Sequence, residues 1–370
     1  MRVGLVCPFS LSYYGGVQKH VLALHHEFKR LGIDSKILVP RQSPKENYGP
    51  DVLLLGYSIL VPGNASRVDF SWSNPLETDK VLRSQKFDLI HFHGLPPMLG
   101  WQIMESIQAL KAKCVFTIHT NLSKSFIAHS LPFVPEAYFN YVMDRASGII
   151  SVSKVAAQFV KKYDGPKAVI PNGVDLTSYC REGPKVSRFD DGKINILFVG
   201  RLDERKGIFV LLKAMNLAAA AFPSLRLLIV GEGPLKAQAQ KYVEDKKLTD
   251  VHFLGAVPEA DLPKYYRTAA IFCAPSLGGE SFGMILLEAL SSGLPVVASA
   301  IDGYREVLKG DCSKLLFTVG DADELCRKLL DLAKSGILRD NFKSIGPAFV
   351  KKYSWTNIAR RVVKFYERVE

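Results

Sequence analysis

Short apolar runs alternate with helix-like stretches along the first 171 residues. The runs cover 2–7, 35–40, 87–93, 113–119, 146–153 and 167–171. After the first of them, Val17, Val21, Leu24, Phe28 and Leu31 recur at the spacing of one helix face, which predicts an amphipathic helix. Strand-length runs separated by helices indicate a parallel sheet with helices on both faces.

The same pattern starts again after a polar stretch that follows PNGVD at 171–175 and extends to Gly192. The second series of apolar runs occupies 194–200, 225–231, 251–255, 270–275 and 294–299. We therefore expect two Rossmann-like, doubly wound α/β domains, at 1–172 and 173–350, that face each other across a cleft. The segment 351–370 carries Trp355, Ile358, Val362 and Phe365 at mostly helical spacing, which predicts a C-terminal helix that crosses back to the first domain.

The stretch APSLGGESFGMILLEA, at 274–289, contains two glutamates eight positions apart. Glu280 is expected in a loop that follows a buried strand, and Glu288 about two turns into an amphipathic helix over 284–290. Between them, the backbone amides of Ser281, Phe282 and Gly283 would form a helix start suited to a phosphate. The alternative is a solvated loop residue and an exposed helix residue, which is the commoner state of a glutamate.

Two more loops carry groups suited to an anion. GRLDERKG, at 200–207, places Arg201 and Lys206 after a strand, and this pair suits a diphosphate; a solvated loop with Asp203 and Glu204 as partners is the alternative. The pair Gly15-Gly16 precedes the first helix, where a glycine lets the backbone approach an anion closely. It is equally an ordinary turn, and GEGP at 231–234 is open to the same two interpretations.

Histidines cluster in the first half of the chain. His91, His93 and His119 are expected at the carboxyl ends of strands, where they either meet a ligand or are packed and hydrogen-bonded. His25 and His26 are expected on a helix surface. No metal cluster is predicted, because no carboxylate or cysteine shares a ligand-like spacing with these histidines.

The length, cysteine content and net charge of the chain exclude several classes of protein. With 370 residues, the chain is too long for one core, and no apolar stretch reaches the 18 or so residues of a bilayer span. Six scattered cysteines without a CxxC pair predict neither zinc nor disulfides. The net charge of +12 is spread along the chain, which favours an anionic membrane surface and nucleotide phosphates over nucleic acid. We expect a cytoplasmic protein.

These motifs, in this order, resemble those of a retaining glycosyltransferase of glycosyltransferase family 4 with the GT-B fold. GGV before the first helix, PNGVD, GRLDERKG, GEGP and the spaced glutamates together span nearly the whole chain. More narrowly, GGVQKHVL, VPGNAS, HTNLSKS and CAPSLGGESFG resemble phosphatidylinositol mannosyltransferases, which use GDP-mannose.

The resemblance implies roles for individual residues. The diphosphate contacts fall on Arg201, Lys206 and the Gly16 backbone, the sugar-hydroxyl contact on Glu280, the ribose contact on Glu288, and His119 lies beside the transferred sugar. Gly231 and Val257 fall near the base, without deciding which base it is. The inositol phosphate contacts fall on Asn64, Arg67 and Lys124, and a membrane-facing basic helix on Lys80, Arg83 and Lys86.

The resemblance further implies transfer with retention, in which the leaving diphosphate helps to deprotonate the acceptor hydroxyl. The donor is a nucleoside diphosphate sugar, and neither a cofactor nor a metal is expected to be essential. We expect a monomer or weak dimer, peripheral on the cytosolic face of the membrane. The alternatives are a family 4 transferase with a UDP-sugar donor or another acceptor (a polyprenol-linked glycan or a soluble sugar), a sugar-nucleotide 2-epimerase, and a non-catalytic binding protein.

Overall fold

The computed structural model describes residues 1–12, 15–61, 68–94, 99–120, 134–219 and 221–369. Contacts between Cα atoms divide the chain into two units. The N-terminal unit consists of Met1–Asn172 together with Trp355–Glu370, and the C-terminal unit consists of Gly173–Ser354. The chain therefore passes from one unit to the other twice.

The strands of the N-terminal unit are β1 (Arg2–Val6), β2 (Asp34–Arg41), β3 (Val52–Val61), β4 (Val68–Trp72), β5 (Leu89–His93), β6 (Lys113–Ile118), β7 (Gly148–Ser151) and β8 (Lys167–Val169). Within the described residues they form one eight-stranded sheet with the order β4-β3-β2-β1-β5-β6-β7-β8. The order reverses between β1 and β5. The carboxyl ends of these two strands therefore flank a switch point, which is where doubly wound sheets bind ligands.

One edge of this sheet departs from the sequence-based expectation of parallel strands. The run Val52–Val61 is not among the predicted strands, yet it pairs in parallel with β2 and antiparallel with β4. In the antiparallel pair, Tyr57 lies opposite Trp72. Whether two neighbouring strands run parallel or antiparallel depends on how the chain connects them. The apolar character of a run does not show which strand it will pair with.

The helices of the N-terminal unit pack against the sheet. They are α1 (Gly16–Arg30), α2 (Pro75–Gln85), α3 (Leu99–Leu110), α4 (Val134–Arg145) and α5 (Lys154–Ala157). In α1, Val21, Leu24 and Phe28 are buried, as the helical spacing predicts. Helix α2 begins with Asn74, whose side chain accepts a hydrogen bond from the Leu76 amide and so caps the helix.

The C-terminal unit repeats the α/β arrangement. Its strands are β9 (Ile194–Val199), β10 (Leu225–Val230), β11 (Val251–Gly255), β12 (Ile271–Ala274), β13 (Val296–Ser299) and β14 (Leu316–Phe317). Its helices are α6 (Ile208–Ala219), α7 (Lys236–Asp245), α8 (Leu262–Thr268), α9 (Met284–Ser291), α10 (Asp302–Val307), α11 (Ala322–Lys334) and α12 (Gly336–Val350).

The six strands of this unit's described sheet run parallel in the order β11-β10-β9-β12-β13-β14. Central positions such as Leu227 and Ile271 are fully buried, because helices cover both faces, and the strands are accordingly mostly apolar. The order reverses between β9 and β12. The loops that follow β9 and β12, at 200–207 and 275–283, therefore flank the switch point of this unit.

The last described helix, α13 (Trp355–Tyr366), belongs to the N-terminal unit. It packs beside α1, where the rings of Phe28 and Tyr366 lie 5.9 Å apart. The return to the N-terminal unit occurs at Trp355 rather than at residue 351. Residues 351–354 remain with the C-terminal unit, where the carbonyl of Tyr353 accepts a hydrogen bond from the Val174 amide at 2.9 Å.

Two further observations concern the whole described chain. None of the described helices combines the length and the apolar character that a membrane crossing requires. All six cysteines lie in described ranges as free thiols, five buried and Cys180 partly exposed. The structure thus agrees with the absence of a disulfide framework.

Candidate active site

The two loops at the switch point of the C-terminal unit meet through an ion pair. Lys206 Nζ lies 2.6 Å from Glu280 Oε1, and each side chain is 17% exposed. The Leu277 amide also donates to the Arg205 carbonyl at 2.7 Å, which joins the backbones of the loops. The alternative interpretation of Glu280 as a solvated loop residue is therefore wrong, because this carboxylate faces a lysine across the switch point.

The first of these loops is shaped by Asp203. Its carboxylate accepts a hydrogen bond from the Lys206 amide and caps a short 3₁₀ turn at Glu204–Lys206. The same buried carboxylate lies 3.0 Å from Arg205 Nη2 and 3.8 Å from Arg201 Nε. Asp203 thus forms an ion pair with Arg201, as the alternative interpretation of this loop has it, but from a buried position rather than from solvent.

The second loop presents backbone amides. Gly283 has a φ of 94° and precedes α9, a left-handed conformation that glycine adopts readily. Within the described residues, the amides of Phe282 and Gly283 donate no hydrogen bond. Two such N–H groups beside the start of a helix favour an anion.

The position of this second loop depends on the start of α10. A Cβ atom at position 303 would collide with the carbonyl oxygen of Glu280, so glycine is required there for the close approach. The neighbouring Tyr304 is fully buried, and its hydroxyl lies 2.8 Å from Ser276 Oγ. Burial raises the pKa of Tyr304 well above its usual value, so this hydroxyl keeps its proton at neutral pH.

Glu288 is buried rather than exposed. It is 4% exposed, and Tyr266 Oη donates to its carboxylate at 2.9 Å. Helix α9 is not amphipathic as predicted, since its residues 286–291 are all buried. Because α9 begins at Met284, Glu288 lies one turn, not two, after the helix start.

Gly231 and Val257 lie at the same edge of the sheet. Gly231 follows β10 with a φ of 138°, and its amide donates to the Gly255 carbonyl at 2.8 Å. A Cβ atom there would collide with the Gly200 carbonyl, so this glycine lets the ends of β9 and β10 approach each other. Val257 is half-buried in the loop after β11.

At the switch point of the N-terminal unit, Gly16 begins α1 directly after the loop that follows β1. A Cβ atom on Gly16 would meet no heavy atom of the described residues within 4 Å. Space is therefore open at the backbone of this residue. The carboxyl end of β5, on the other side of the switch point, is His93.

Three histidines meet at this switch point. His93 Nδ1 lies 3.3 Å from Nε2 of His119, which directly follows β6. The ring of His20, from α1, lies 5.1 Å from the His93 ring and 4.8 Å from the His119 ring. One ring nitrogen from each of the three residues lies within 4.8 Å of the others, a grouping that the spacing of these histidines along the sequence did not indicate.

A fourth histidine, His91, packs against this group, with its ring 4.2 Å from the His93 ring. His91 Nδ1 lies 2.6 Å from the Tyr366 hydroxyl, and its Nε2 lies 2.7 Å from Thr117 Oγ1. Burial lowers the pKa of His20 to about 4 and the pKa of His91 well below its usual value. These imidazoles are therefore neutral at physiological pH.

Two other predictions for the N-terminal unit have different outcomes. His25 does not lie freely on the helix surface, since it is partly buried and its Nδ1 lies 2.9 Å from Ser35 Oγ. His26 is exposed, as expected. The proposed acceptor residues Asn64, Arg67 and Lys124 lie outside the described residues.

Three residues that hold the predicted ones in place were not among the predictions, namely His20, Tyr266 and Gly303, and Asp203 was considered only as a solvated partner. A signal existed for His20, which lies three residues after Val17 and four before Leu24 and so falls on the buried face of α1. Tyr266 likewise lies four residues after Leu262 in α8. No local pattern indicates Gly303, because its role depends on a loop more than 20 positions earlier.

Comparison with known proteins agrees with this arrangement. Residues 14–178 match the family described as Glycosyltransferase Family 4, and residues 181–349 match Glycosyl transferases group 1. A phosphatidyl-myo-inositol mannosyltransferase of Mycobacterium leprae is 33% identical over 378 residues, with 100% of this chain and 97% of that protein covered. For the Mycolicibacterium smegmatis protein of the same name, the identity is 34% and the coverage 100% and 94%.

More distant similarity extends to other transferases. The gpi3 subunit of phosphatidylinositol N-acetylglucosaminyltransferase from Schizosaccharomyces pombe is 25% identical, with 99% of this chain and 80% of that protein covered. Sucrose-phosphate synthase from Thermosynechococcus elongatus has a TM-score of 0.78 at 20% identity and covers 100% of this chain and 98% of its own. Anabaena HepE, solved with UDP and glucose, has a TM-score of 0.75 at 18% identity, with 99% of each chain covered. The solved structures show the GT-B fold.

Proposed function

Because this chain belongs to the family of phosphatidylinositol mannosyltransferases, glycosyltransferases of the GT-B fold, we propose that it transfers mannose from GDP-mannose to phosphatidylinositol. The observation that carries the donor half of this proposal is the meeting of Lys206 and Glu280 at the switch point of the C-terminal unit. A cation and a carboxylate side by side suit a ligand that carries phosphates next to sugar hydroxyls.

We assign the donor diphosphate to Lys206, Arg201 and the amides of Phe282 and Gly283. The two side chains supply charge, and the amides add preorganised hydrogen bonds where negative charge grows as the sugar leaves. Ser281 and the Gly16 backbone belong to the same proposed set. Since these groups balance the diphosphate, transfer is expected to continue in the presence of EDTA.

Glu280 is assigned to hydroxyls of the transferred sugar and Glu288 to the ribose. A buried carboxylate already oriented by the Tyr266 hydroxyl can accept hydrogen bonds from ribose without further ordering. Gly231 and Val257 are assigned to the surroundings of the base. Burial lowers the pKa of His119 well below its usual value, and we assign this neutral imidazole a place beside the sugar, where a ring nitrogen can donate to a hydroxyl or accept from one.

The reaction is proposed to proceed with retention. The departing diphosphate takes the proton of the acceptor hydroxyl on the same face from which it leaves, so no protein base is required. The protein's contribution is then to stabilise the diphosphate and to hold both substrates at reacting distance. Asn64, Arg67 and Lys124 are the proposed contacts of the inositol phosphate.

The lipid acceptor requires a membrane surface, and we propose that one edge of the N-terminal unit binds it. Tyr57 and Trp72 are cross-strand partners on β3 and β4 that are 49% and 54% exposed, and Ile59, on the same face of β3, is 69% exposed. Leu76, at the start of α2, is 81% exposed. Tyrosine and tryptophan are side chains that favour the membrane interface.

Exposed basic residues lie on and directly after the adjoining helix α2. These are Lys80, Arg83 and Lys86, and each contributes about 1 kcal/mol near an anionic leaflet. Arg83 is paired with Asp79 at 2.6 Å, so its contribution is the smallest of the three. The proposed attachment is peripheral, reversible and cytosolic, and the protein is proposed to act as a monomer or weak dimer.

A donor and acceptor matrix tests the proposal. The purified chain is incubated with GDP-mannose or UDP-glucose and with phosphatidylinositol vesicles, a polyprenol-linked glycan or soluble sugars, with and without EDTA. Mannosylated phosphatidylinositol with an α linkage is the expected product. Transfer only to a soluble sugar, or release of an isomerised sugar nucleotide without transfer, contradicts the proposal.

A further inference from the structure

The histidine cluster of the N-terminal unit (His20, His93 and His119) contains buried ring nitrogens for which the proposed transferase reaction has no role. His20 and His93 are 2% and 1% exposed, and Nε2 of each is buried without a hydrogen-bond partner among the described residues. Buried polar atoms in proteins are nearly always paired. Two unpaired imidazole nitrogens in one cluster therefore point to a missing partner.

The hydrogen bond from His20 to Asn172 specifies which nitrogen is available. Asn172 Oδ1, 2.7 Å from His20 Nδ1, can only accept, so Nδ1 carries the ring proton and Nε2 has a bare lone pair. This is the form in which imidazole binds a metal ion. A histidine ligand commonly donates its other N–H to a fixed oxygen, as His20 does here.

The spacing of the three rings also suits one ion. One ring nitrogen from each of His20, His93 and His119 lies within 4.8 Å of the others. Two ligands at Zn–N distances of about 2.0–2.1 Å in a tetrahedral site are separated by roughly 3.3–3.4 Å, so a closure of about 1.4 Å at the widest pair brings the set to bonding distance.

From these observations we propose that the N-terminal unit binds one zinc-class divalent ion through His20, His93 and His119. Three histidines with a fourth position open are a known zinc environment. Of the three histidines, only His119 is partly exposed. The fourth coordination position of the ion is therefore expected on the solvent-accessible side of the cluster, next to His119.

Occupancy of this site has a consequence that rests on the proposed function. Since His119 is placed beside the transferred sugar, an ion bound to it takes up the sugar's position. Zinc is then an inhibitor that competes with the sugar nucleotide. A transferase that needs no metal for its chemistry would thereby be sensitive to the concentration of free zinc.

Direct binding is measured on the full chain in a Cys180→Ser background, which removes the one partly exposed thiol. Co²⁺ serves as the spectroscopic probe for a tetrahedral nitrogen site, and titration calorimetry with Zn²⁺ gives stoichiometry and affinity. We expect one equivalent bound, with affinity reduced at least tenfold in His20→Gln and in His93→Gln. His26→Gln, an exposed histidine on the same helix, is the matched control.

Circular dichroism verifies the fold of each variant, and His119→Gln, the least buried of the three positions, replaces any variant that fails to fold. No stoichiometric Co²⁺ signal, or an affinity that the His20 and His93 variants leave unchanged, overturns the site. An equal loss in His26→Gln also overturns it.

Inhibition is tested separately by adding Zn²⁺ to the transfer assay at several sugar nucleotide concentrations. Competitive inhibition in the wild type, at least tenfold weaker in His20→Gln relative to that variant's own uninhibited rate, supports the placement beside the sugar. Binding of Co²⁺ without inhibition by Zn²⁺ overturns the competition. Because the Co²⁺ titration needs no turnover, a failure of the proposed transferase reaction does not affect the test of the site itself.

Discussion

Lys206 Nζ lies 2.6 Å from Glu280 Oε1, so the cation assigned to the diphosphate is paired with the carboxylate assigned to the sugar. The two residues are 74 positions apart and come from loops on either side of a switch point. A diphosphate that binds Lys206 competes with Glu280 for this cation. On the proposed assignment, the pair would couple phosphate binding to the release of the carboxylate that receives the sugar.

The first prediction separates the two members of the pair by their effect on nucleoside diphosphate binding. Lys206→Met should weaken GDP binding by about 1.5–3 kcal/mol, roughly 10- to 160-fold, because a charge-assisted hydrogen bond is lost. Glu280→Gln should leave GDP binding unchanged or tighter, because Lys206 no longer has a competing carboxylate. Both variants should lower kcat/KM for the sugar nucleotide.

Calorimetry with GDP and initial rates with GDP-mannose provide the two readouts. Lys314→Met is the matched control, since Lys314 forms an exposed pair with Asp311 at 2.7 Å in the segment that precedes β14, whereas the proposed donor contacts in this unit follow the ends of other strands. If GDP binds the Lys206 and Glu280 variants equally, the assignment of the diphosphate to Lys206 is wrong.

The second prediction concerns the tyrosine that orients Glu288. Tyr266→Phe removes a hydroxyl that donates to a buried carboxylate, which should cost about 1–3 kcal/mol of unfolding free energy. It should also raise KM for the sugar nucleotide, because Glu288 loses a fixed orientation toward the ribose. Tyr179→Phe, which removes the bond from Tyr179 to Glu259, should leave KM unchanged. Urea denaturation and steady-state kinetics measure the two effects, and an unchanged KM in Tyr266→Phe would contradict the positioning role.

A third prediction follows from the contact between Gly303 and the Glu280 backbone. Gly303→Ala adds a methyl group that collides with the Glu280 carbonyl, so the loop must shift. A displacement of about 1 Å can reduce catalysis about 100-fold, and we expect a loss of kcat/KM of that order. Gly336→Ala, where a Cβ atom meets only the far end of Arg339, should retain full activity. Near-normal kinetics in Gly303→Ala would show that the loop tolerates the shift.

Acid sensitivity of the C-terminal unit provides a fourth prediction. The hydrogen bond from Arg226 lowers the pKa of Asp191 from 3.8 to about 2. A lowered folded-state pKa stabilises the protein above the unfolded pKa, and this contribution is lost as the pH falls from about 4 to about 2. Asp191→Asn should therefore show a smaller loss of stability than the wild type across this interval.

The readout must report on the C-terminal unit, since all three tryptophans (Trp72, Trp101 and Trp355) lie in the N-terminal one. Amide hydrogen exchange, measured from about pH 4 to about pH 2.5, reports on β10, which contains Arg226, and on its neighbour β9. Identical acid profiles for Asp191→Asn and the wild type would contradict the assignment.

The proposed membrane edge leads to the fifth prediction. Replacement of Trp72 by Ser should weaken binding to vesicles that contain phosphatidylinositol and phosphatidylserine, since an apolar side chain is worth about 1.5–3 kcal/mol when buried. Leu217→Ser, a residue of the C-terminal unit that is 48% exposed, is the control. Co-sedimentation at low and high salt separates this apolar contribution from that of Lys80 and Lys86, which should fall with salt. Equal binding by Trp72→Ser and wild type would exclude this edge.

The strand, loop and helix order of both units could be predicted from the sequence, because apolar runs of strand length alternate with helical spacing. The same pattern places Glu280, Arg201 and Lys206 in loops after strands. Which loops are neighbours depends on strand order, and strand order is not encoded locally. The Lys206–Glu280 pair therefore becomes visible only once β9 is found beside β12.

Burial is the other quantity that the sequence could not provide. A glutamate is usually exposed, so Glu288 was as compatible with a helix surface as with a ligand site until Tyr266 was found beside it. His20 likewise depends on Asn172, which lies 152 positions later. Long-range partners of this kind decide whether a polar residue is solvated or held, and no short motif records them.

The return of α13 to the N-terminal unit affects the order in which the protein can fold during synthesis. Domains generally fold as they leave the ribosome, N-terminal first. Here His91 of β5 binds Tyr366, and a Cβ atom on Gly148 would collide with Phe365, so the first unit is packed around residues made after the whole of the second. The N-terminal unit therefore cannot complete its packing until residues 355–370 have been made. The surface that receives α13 stays exposed while the C-terminal unit is translated. Slower translation of residues 173–354 would prolong that exposure. Because an exposed apolar surface promotes aggregation, the nascent chain would then depend on chaperones for longer.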